Sequence, residues 1–177
     1  MSLAGTRKAG SRGEWGSKEK AEQAIVSRYI EDLLIKHKVE GLQITETFTM
    51  KAGAMEHLCT GFNFVIADDG TMAQIINDLH PTPAVCGIPK EKALQLIKKY
   101  ENHHREYYAG FLGPVNLKGK TDLFVNLRCM KITPTQMILF TGGGITKDSV
   151  PEREWEETEL KAQTLLDVLE KIRNLAL

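Results

Sequence analysis

Four glutamates form two pairs with the same spacing. Glu19 and Glu22 lie near the start of one predicted helix, and Glu154 and Glu157 lie near the start of another. Residues three apart share a helical face, so each pair presents two carboxylates in one direction. If the pairs converged, a divalent cation would relieve their repulsion, and oxygen-only ligands favour Mg²⁺ or Ca²⁺ over zinc. The alternative is that these acidic residues only complement the helix dipole.

Two cationic side chains could meet an anion. Lys161 follows Glu157 by four residues, so it could reach a carboxylate bound beside a metal, or it could form an ordinary surface ion pair. Arg128 is predicted in a strand, on the same face as Phe124 and Met130. A buried guanidinium needs a partner, so Arg128 pairs within the protein, points to solvent or binds an anionic ligand.

A run of three glycines, Gly142 to Gly144, directly follows a predicted strand. Such a segment can present backbone N–H groups to a carboxylate, because no side chain blocks the approach; a tight turn is the alternative. The run lacks the spacings of phosphate and dinucleotide loops. His57 lies in another predicted strand, where a histidine is more often a hydrogen-bonded core residue than a catalyst.

Hydrophobic periodicity and turn residues predict the helices and strands that would position these side chains. The sequence predicts helices over 18–38, 71–79, 89–103 and 151–175, and strands over 42–51, 57–67, 107–115, 122–131 and 136–140. This order favours an α+β fold in which an antiparallel sheet carries helices packed on one face. Residues 1–17 lack either period and are predicted to be a flexible N-terminal segment, with residues 1–3 typical of an expression scar.

Composition excludes several classes of protein. The chain has 23 basic and 23 acidic residues, so no overall charge attracts it to nucleic acid or to anionic lipid. Its longest apolar runs are too short to span a membrane, and no secretory leader is seen, so we expect a cytoplasmic protein without nucleic-acid or membrane partners. The cysteines, Cys59, Cys86 and Cys129, lack the spacing of a zinc site or a disulfide framework.

Five segments together resemble the chorismate-utilising enzymes. They are HPTPAVCGIP at 80–89, YYAGFLG at 107–113, LRC at 127–129, FTGGGI at 140–145 and EWEETELK at 154–161, and the similarity runs from about residue 4 to the end. The resemblance implies a fold of stacked antiparallel sheets and helices around one chorismate site. HPTPAV is similar to the isochorismate synthase branch, whereas anthranilate-type enzymes usually have Gly-Thr here and salicylate synthases Thr-Ala-Ser.

The resemblance also implies a metal site. Glu22 and Glu157 match positions that bind Mg²⁺, and Glu19 and Glu154 match supporting positions. Gln23 stands where many members of the family have histidine, a difference that leaves the metal assignment unchanged.

Substrate contacts are implied in the same way. Arg128 and Tyr108 match positions that hold the enolpyruvyl carboxylate of chorismate, with help from the N–H of Gly142. His57 and Lys161 match positions near the ring carboxylate and the metal. Thr6 belongs to an Ala-Gly-Thr-Arg segment similar to a loop that contacts the ring carboxylate.

The general base and the general acid of the family, a lysine and a glutamate, lie upstream of that Ala-Gly-Thr-Arg loop. We therefore expect residues 18–177 to be the C-terminal part of the chorismate-binding catalytic domain, with no catalytic acid or base of its own and with the N-terminal half of the same enzyme as its partner. The complete enzyme would convert chorismate to isochorismate for menaquinone or siderophore synthesis. The alternatives are another chorismate-utilising enzyme, of the salicylate, anthranilate or aminodeoxychorismate type, or a non-catalytic anion-binding domain.

Overall fold

Helices and small antiparallel sheets make up the computed structural model, which describes residues 1–53 and 55–175. The predicted α+β class is therefore confirmed. Backbone contacts divide the chain into two compact units, Met1–Tyr100 and Glu101–Leu177. Residues 18–177, predicted as part of one domain, are thus distributed over both units.

The first unit contains two sheets and four helices among its described residues. Its elements are β1 (Ser2–Lys8), α1 (Ser17–Lys36), β2 (Glu40–Ile44), β3 (Phe48–Ala52), β4 (Met55–Thr60), β5 (Phe62–Val65), α2 (Asp69–Leu79), α3 (Pro83–Cys86) and α4 (Lys90–Tyr100). Strands β1, β4 and β3 form an antiparallel sheet with β4 in the centre, and β2 pairs with β5. A bulge between Ala4 and Thr6 interrupts the β1–β4 register.

An apolar stripe on α1 forms the core of this unit. Val26, Ile30, Leu33 and Leu34 are buried together with Ile75 of α2. The α1 residues are four, three and one positions apart, so their side chains lie on one helical face. This apolar period is the reason that the sequence predicts the helix.

The structure differs from the sequence prediction over residues 1–17. Ser2–Lys8 form β1 and not a flexible end, because β4 supplies a hydrogen-bonding partner along the whole strand. The bulge shifts the register at Gly5, so the alternation of a regular strand is missing from the sequence. The predicted strands 42–51 and 57–67 are also divided, and form the four shorter strands β2 to β5.

The second unit contains β6 (Phe111–Leu112), β7 (Phe124–Val125), β8 (Cys129–Ile132), β9 (Met137–Phe140) and α5 (Pro151–Leu175). Two antiparallel pairs, β6–β7 and β8–β9, are found where the sequence predicts the three strands 107–115, 122–131 and 136–140. The predicted strand 122–131 breaks at Arg128, whose φ of 50° is left-handed. Extended strand geometry is incompatible with that φ, so the prediction that Arg128 shares a strand face with Phe124 and Met130 is wrong.

Within residues 1–53 and 55–175, no helix has both the length and the apolar character needed to cross a membrane.

Candidate functional site

Thr6 and His57 form a side-chain pair in the first unit. They are register partners on β1 and β4, and Thr6 Oγ1 lies 3.2 Å from His57 Nδ1. The same Nδ1 lies 3.2 Å from the carbonyl oxygen of Gly5. A protonated Nδ1 would donate to that carbonyl, so the bulge of β1 fixes the orientation of the imidazole.

Gly5 brings β1 against the first turn of α1. Its φ is 69°, and a Cβ added to it would lie 2.9 Å from the Cβ of Glu19. A side chain is therefore excluded by both conformation and space. The close approach sets Glu19 beside the segment that carries Thr6. Glu22, one turn further along α1, has its carboxylate 3.9 Å from the Lys18 ammonium.

In the second unit, two predicted substrate-binding residues contact the glycine run. A Cβ added to Gly142 would lie 2.6 Å from the hydroxyl of Tyr108, so the phenol occupies the space beside this backbone. Lys161 Nζ donates a hydrogen bond to the Gly142 carbonyl oxygen at 2.9 Å. Tyr108, Gly142 and Lys161 are thus brought together, although they are distant in the sequence.

One face of α5 lies along the same run. Lys161 Nζ is 2.7 Å from Glu157 Oε1, so the predicted i,i+4 ion pair forms, and the lysine side chain is only 14% exposed. Glu154 is 6% exposed, and its Oε2 lies 3.5 Å from the position of a Cβ on Gly143. The spacing of three and four residues puts these charged groups on one helical face.

Aromatic and charged neighbours hold Tyr108 in place. Its ring stacks on Phe140 with centroids 5.5 Å apart, and the Arg105 guanidinium lies 5.6 Å from its centroid. Glu101 accepts a 2.8 Å hydrogen bond from Arg105 Nε. Burial raises the pKa of the Tyr108 phenol, which therefore remains a hydrogen-bond donor at neutral pH. Sequence reasoning missed Glu101 and Arg105, whose i,i+4 spacing could have indicated the pair.

Arg128 is a half-buried cation just before β8. Among the residues that the structure describes, it forms no hydrogen bond or ion pair. Cys129, the next residue, pairs with Phe140 at the end of β9. Arg128 therefore lies at the same end of this strand pair as Gly142, which follows Phe140 by two residues. The carboxylate partner that would have assigned it a structural role is not found among these residues.

The four glutamates predicted to bind a metal can be compared with the ligands that Mg²⁺ prefers. In the described ranges, no three His, Cys, Asp or Glu side chains are grouped to hold an ion. The predicted ligands are instead divided between the units, with Glu19 and Glu22 in the first and Glu154 and Glu157 in the second. Carboxylate oxygens are the donors that Mg²⁺ prefers, so the donor set fits this ion.

Comparison with known proteins identifies relatives of the chain. It is 39% identical to the vibriobactin-specific isochorismate synthase of Vibrio cholerae, over 81% of this chain and 35% of that protein. It is 31% identical to the isochorismate synthase EntC of Escherichia coli, over 92% of this chain and 41% of that protein. A crystal structure of DhbC from Bacillus anthracis, described as a 2,3-dihydroxybenzoate-specific isochorismate synthase, superposes with a TM-score of 0.84 at 31% identity.

That superposition covers 96% of this chain and 48% of the DhbC chain. The chain thus spans between about a third and a half of the length of these relatives. The family model described as "Chorismate binding enzyme" matches residues 14–170, and so extends through both compact units. The chain belongs to the chorismate-binding enzyme family.

Proposed function

We propose that the complete protein is an isochorismate synthase, which adds water at C2 of chorismate and releases the C4 hydroxyl. The observation that carries this proposal is the group around Gly142, in which Tyr108 and Lys161 contact the glycine backbone. The HPTPAV segment at 80–85 supports the isochorismate synthase branch over the aminating and salicylate-forming branches.

The enolpyruvyl carboxylate is the anion proposed for this group. Arg128 supplies a cation without a partner among the described residues, and a guanidinium can bind a carboxylate through two parallel hydrogen bonds. Tyr108 supplies a protonated phenol beside Gly142, and the Gly142 N–H is available to the same anion because glycine itself has no side chain. The guanidinium, the phenol and the backbone N–H can all donate hydrogen bonds to a planar carboxylate.

The ring carboxylate is proposed to meet the residues of the first unit, Thr6 and His57, and also Lys161. Thr6 and His57 present a hydroxyl and an imidazole from neighbouring strands, and their mutual hydrogen bond orders both before substrate arrives. Lys161 is mostly shielded from solvent, which strengthens its interaction with an anion.

Magnesium is proposed as the cofactor, held by Glu22 and Glu157 with support from Glu19 and Glu154. When bound, Mg²⁺ would neutralise and orient the ring carboxylate. The residues of this chain contribute positioning and charge. Lys161 already neutralises Glu157 at 2.7 Å, which limits repulsion between Glu157 and an incoming carboxylate. A lysine base and a glutamate acid are expected in the upstream half of the enzyme.

The test is an assay of the protein encoded by the complete gene, with chorismate in the presence of Mg²⁺ or of EDTA. We expect isochorismate, identified by chromatography, and loss of turnover on chelation. Formation of salicylate, or of an aminated product when ammonia is supplied, would instead assign another branch of the family. Chorismate binding with no product would favour a non-catalytic anion-binding protein. We expect the protein in the cytoplasm, with its product directed to siderophore or menaquinone synthesis.

A further inference from the structure

The loop 9–16 joins β1 to α1, and its order requires specific contacts. It contains three glycines, Gly10, Gly13 and Gly16, and the first two have positive φ of 80° and 109°. Glycine loses more conformational entropy on folding than any other residue. Contacts that order the loop therefore add to the packing of α1 on β1, where Gly5 approaches Glu19 and Gln23 Nε2 donates to Ser2 Oγ at 2.9 Å.

Arg7 and Glu56 supply contacts to both of the positive-φ glycines. Arg7 Nε donates to Glu56 Oε2 at 2.9 Å, and its Nη1 donates to the Gly13 carbonyl oxygen at 2.9 Å. The other carboxylate oxygen, Glu56 Oε1, accepts the Gly10 N–H at 3.1 Å. One ion pair between β1 and β4 thus holds the loop at two points.

A third contact is made with Trp15. The Arg7 guanidinium carbon lies 4.2 Å from the centroid of the indole, within the range of a cation–π interaction. The indole Nε1 donates to Thr49 Oγ1 on β3 at 2.9 Å. The Arg7 and Glu56 side chains are 23% and 16% exposed, so their pair is partly shielded from water. The Gly10 N–H, followed by the Arg7 guanidinium, lowers the pKa of the Glu56 carboxyl.

The proposed ligand residues lie on both sides of this loop. Before it, Thr6 and His57 are the sequence neighbours of Arg7 and Glu56, and the two pairs occupy successive positions of the β1–β4 register. After it, α1 begins at Ser17 and carries Glu19 and Glu22 in its first two turns. The loop therefore links the strand that carries Thr6 directly to the first turns of α1, which carry the two carboxylates.

We propose that Arg7 is a positioning residue, which fixes the loop 9–16 and thereby sets Thr6 and His57 against the metal-binding carboxylates of α1. This inference rests on the proposed function, because it assigns the two sets to the ring carboxylate and to Mg²⁺. Arg7 itself contacts neither ligand and acts through the backbone on both sides of the loop.

The experiment compares Arg7→Ala, Arg7→Lys and Arg12→Ala in the protein encoded by the complete gene. Arg12 is a matched control, since it is an exposed arginine of the same loop and has no hydrogen bond or ion pair with a described residue. Hydrogen exchange followed by mass spectrometry reports the order of residues 9–16. Steady-state kinetics separate kcat from the KM for chorismate and from the Mg²⁺ concentration at half-saturation.

For Arg7→Ala we expect faster exchange in the loop, with KM and the Mg²⁺ requirement each raised about tenfold and kcat changed much less, since residues that orient metal ligands typically act at this level. Arg7→Lys retains a charge for Glu56 but cannot also reach Gly13 and cover the indole, so its effects should be smaller. It also provides a test if the alanine variant does not fold. Arg12→Ala should resemble the wild type.

Three results would overturn the inference. Unchanged exchange in both Arg7 variants would show that Arg7 does not fix the loop. Faster exchange with unchanged KM and Mg²⁺ dependence would show that the loop does not position the site. A fall in kcat alone would indicate only loss of folded enzyme. If the wild type forms no isochorismate, the proposed function fails separately, and the exchange comparison still decides whether Arg7 fixes the loop.

Discussion

Gly142 lies where a side chain would collide with the Tyr108 hydroxyl, 2.6 Å from a built Cβ. Gly142→Ala should therefore displace the phenol or the backbone N–H that is proposed to bind the substrate carboxylate. Because small misplacements of binding groups are costly, we expect kcat/KM of the complete enzyme to fall roughly 10- to 100-fold. Gly144→Ala is the matched control, since a Cβ at Gly144 would meet no atom within 4 Å. Equal kinetics for the two variants would contradict the proposed role of this contact.

Arg128 combines a cation without a partner among the described residues with a left-handed backbone. Substitution by asparagine separates these features, because asparagine tolerates that φ but carries no charge. If the guanidinium binds the enolpyruvyl carboxylate, Arg128→Asn should raise KM for chorismate roughly 10- to 100-fold while the melting temperature stays nearly constant. Arg173→Asn, an exposed position at the end of α5, is the control. An unchanged KM with Arg128→Asn would remove Arg128 from the site.

At the scale of elements, Asp78 joins α2 to α1. Its carboxylate lies 3.0 Å from His37 Nε2 and 3.4 Å from Lys36 Nζ, and its carbonyl oxygen accepts the Tyr29 hydroxyl at 2.7 Å. The hydrogen bond with His37, followed by that with Lys36, lowers the pKa of the Asp78 carboxyl. A depressed folded-state pKa contributes stability that is present above the unfolded-state pKa and is lost as pH falls through the folded-state value.

Asp78→Asn should therefore lower the melting temperature at about pH 6, and the difference from the wild type should shrink only as pH falls below the unfolded-state pKa of about 4. The reason is that the wild-type carboxyl loses its charge as pH falls through its lowered pKa, whereas the amide is neutral throughout. Thermal melts of both proteins across this range provide the measurement. Asp32→Asn, on the exposed face of α1, controls for the general loss of a negative charge. A constant difference at every pH would mean that the Asp78 charge does not contribute.

Helices were predicted from the sequence more accurately than strands, and the reason is visible in particular residues. The predicted start and end of α5, residues 151 and 175, agree with Pro151–Leu175 in the structure, because an apolar period and a proline mark them locally. For β1 the decisive partner, β4, lies about fifty residues away, and the bulge at Gly5 removes the alternation. The break at Arg128 depends on a left-handed φ that arginine seldom adopts, so no local signal indicated it.

The residues of the candidate site could be predicted from the sequence, whereas the contacts that support them could not. Family motifs identified Tyr108, Gly142 and Lys161, which the structure brings into contact. The Arg7–Glu56 pair was not identified, because its members come from separate strands and only the register of β1 on β4 brings them together. Interactions between distant residues of ordinary type carry little signal in a single sequence.

At the scale of the molecule, the proposed ligand residues are divided between the two compact units. Thr6, His57, Glu19 and Glu22 belong to Met1–Tyr100, while Tyr108, Arg128, Gly142, Glu154, Glu157 and Lys161 belong to Glu101–Leu177. Each unit therefore contains only part of the residues that we propose to bind Mg²⁺ and chorismate. Both units, and the upstream half expected from the resemblance, are required for the proposed reaction.

The 177-residue chain alone should not convert chorismate to isochorismate at an appreciable rate. It retains groups for positioning and charge neutralisation, but loss of a general acid or a general base typically costs roughly 10²- to 10⁴-fold each, and both are expected upstream. Purified chain is incubated with chorismate and Mg²⁺, and isochorismate is followed by chromatography beside the complete enzyme. Turnover close to that of the complete enzyme would show that the acid and the base reside within this chain, and would require a different assignment of the catalytic residues.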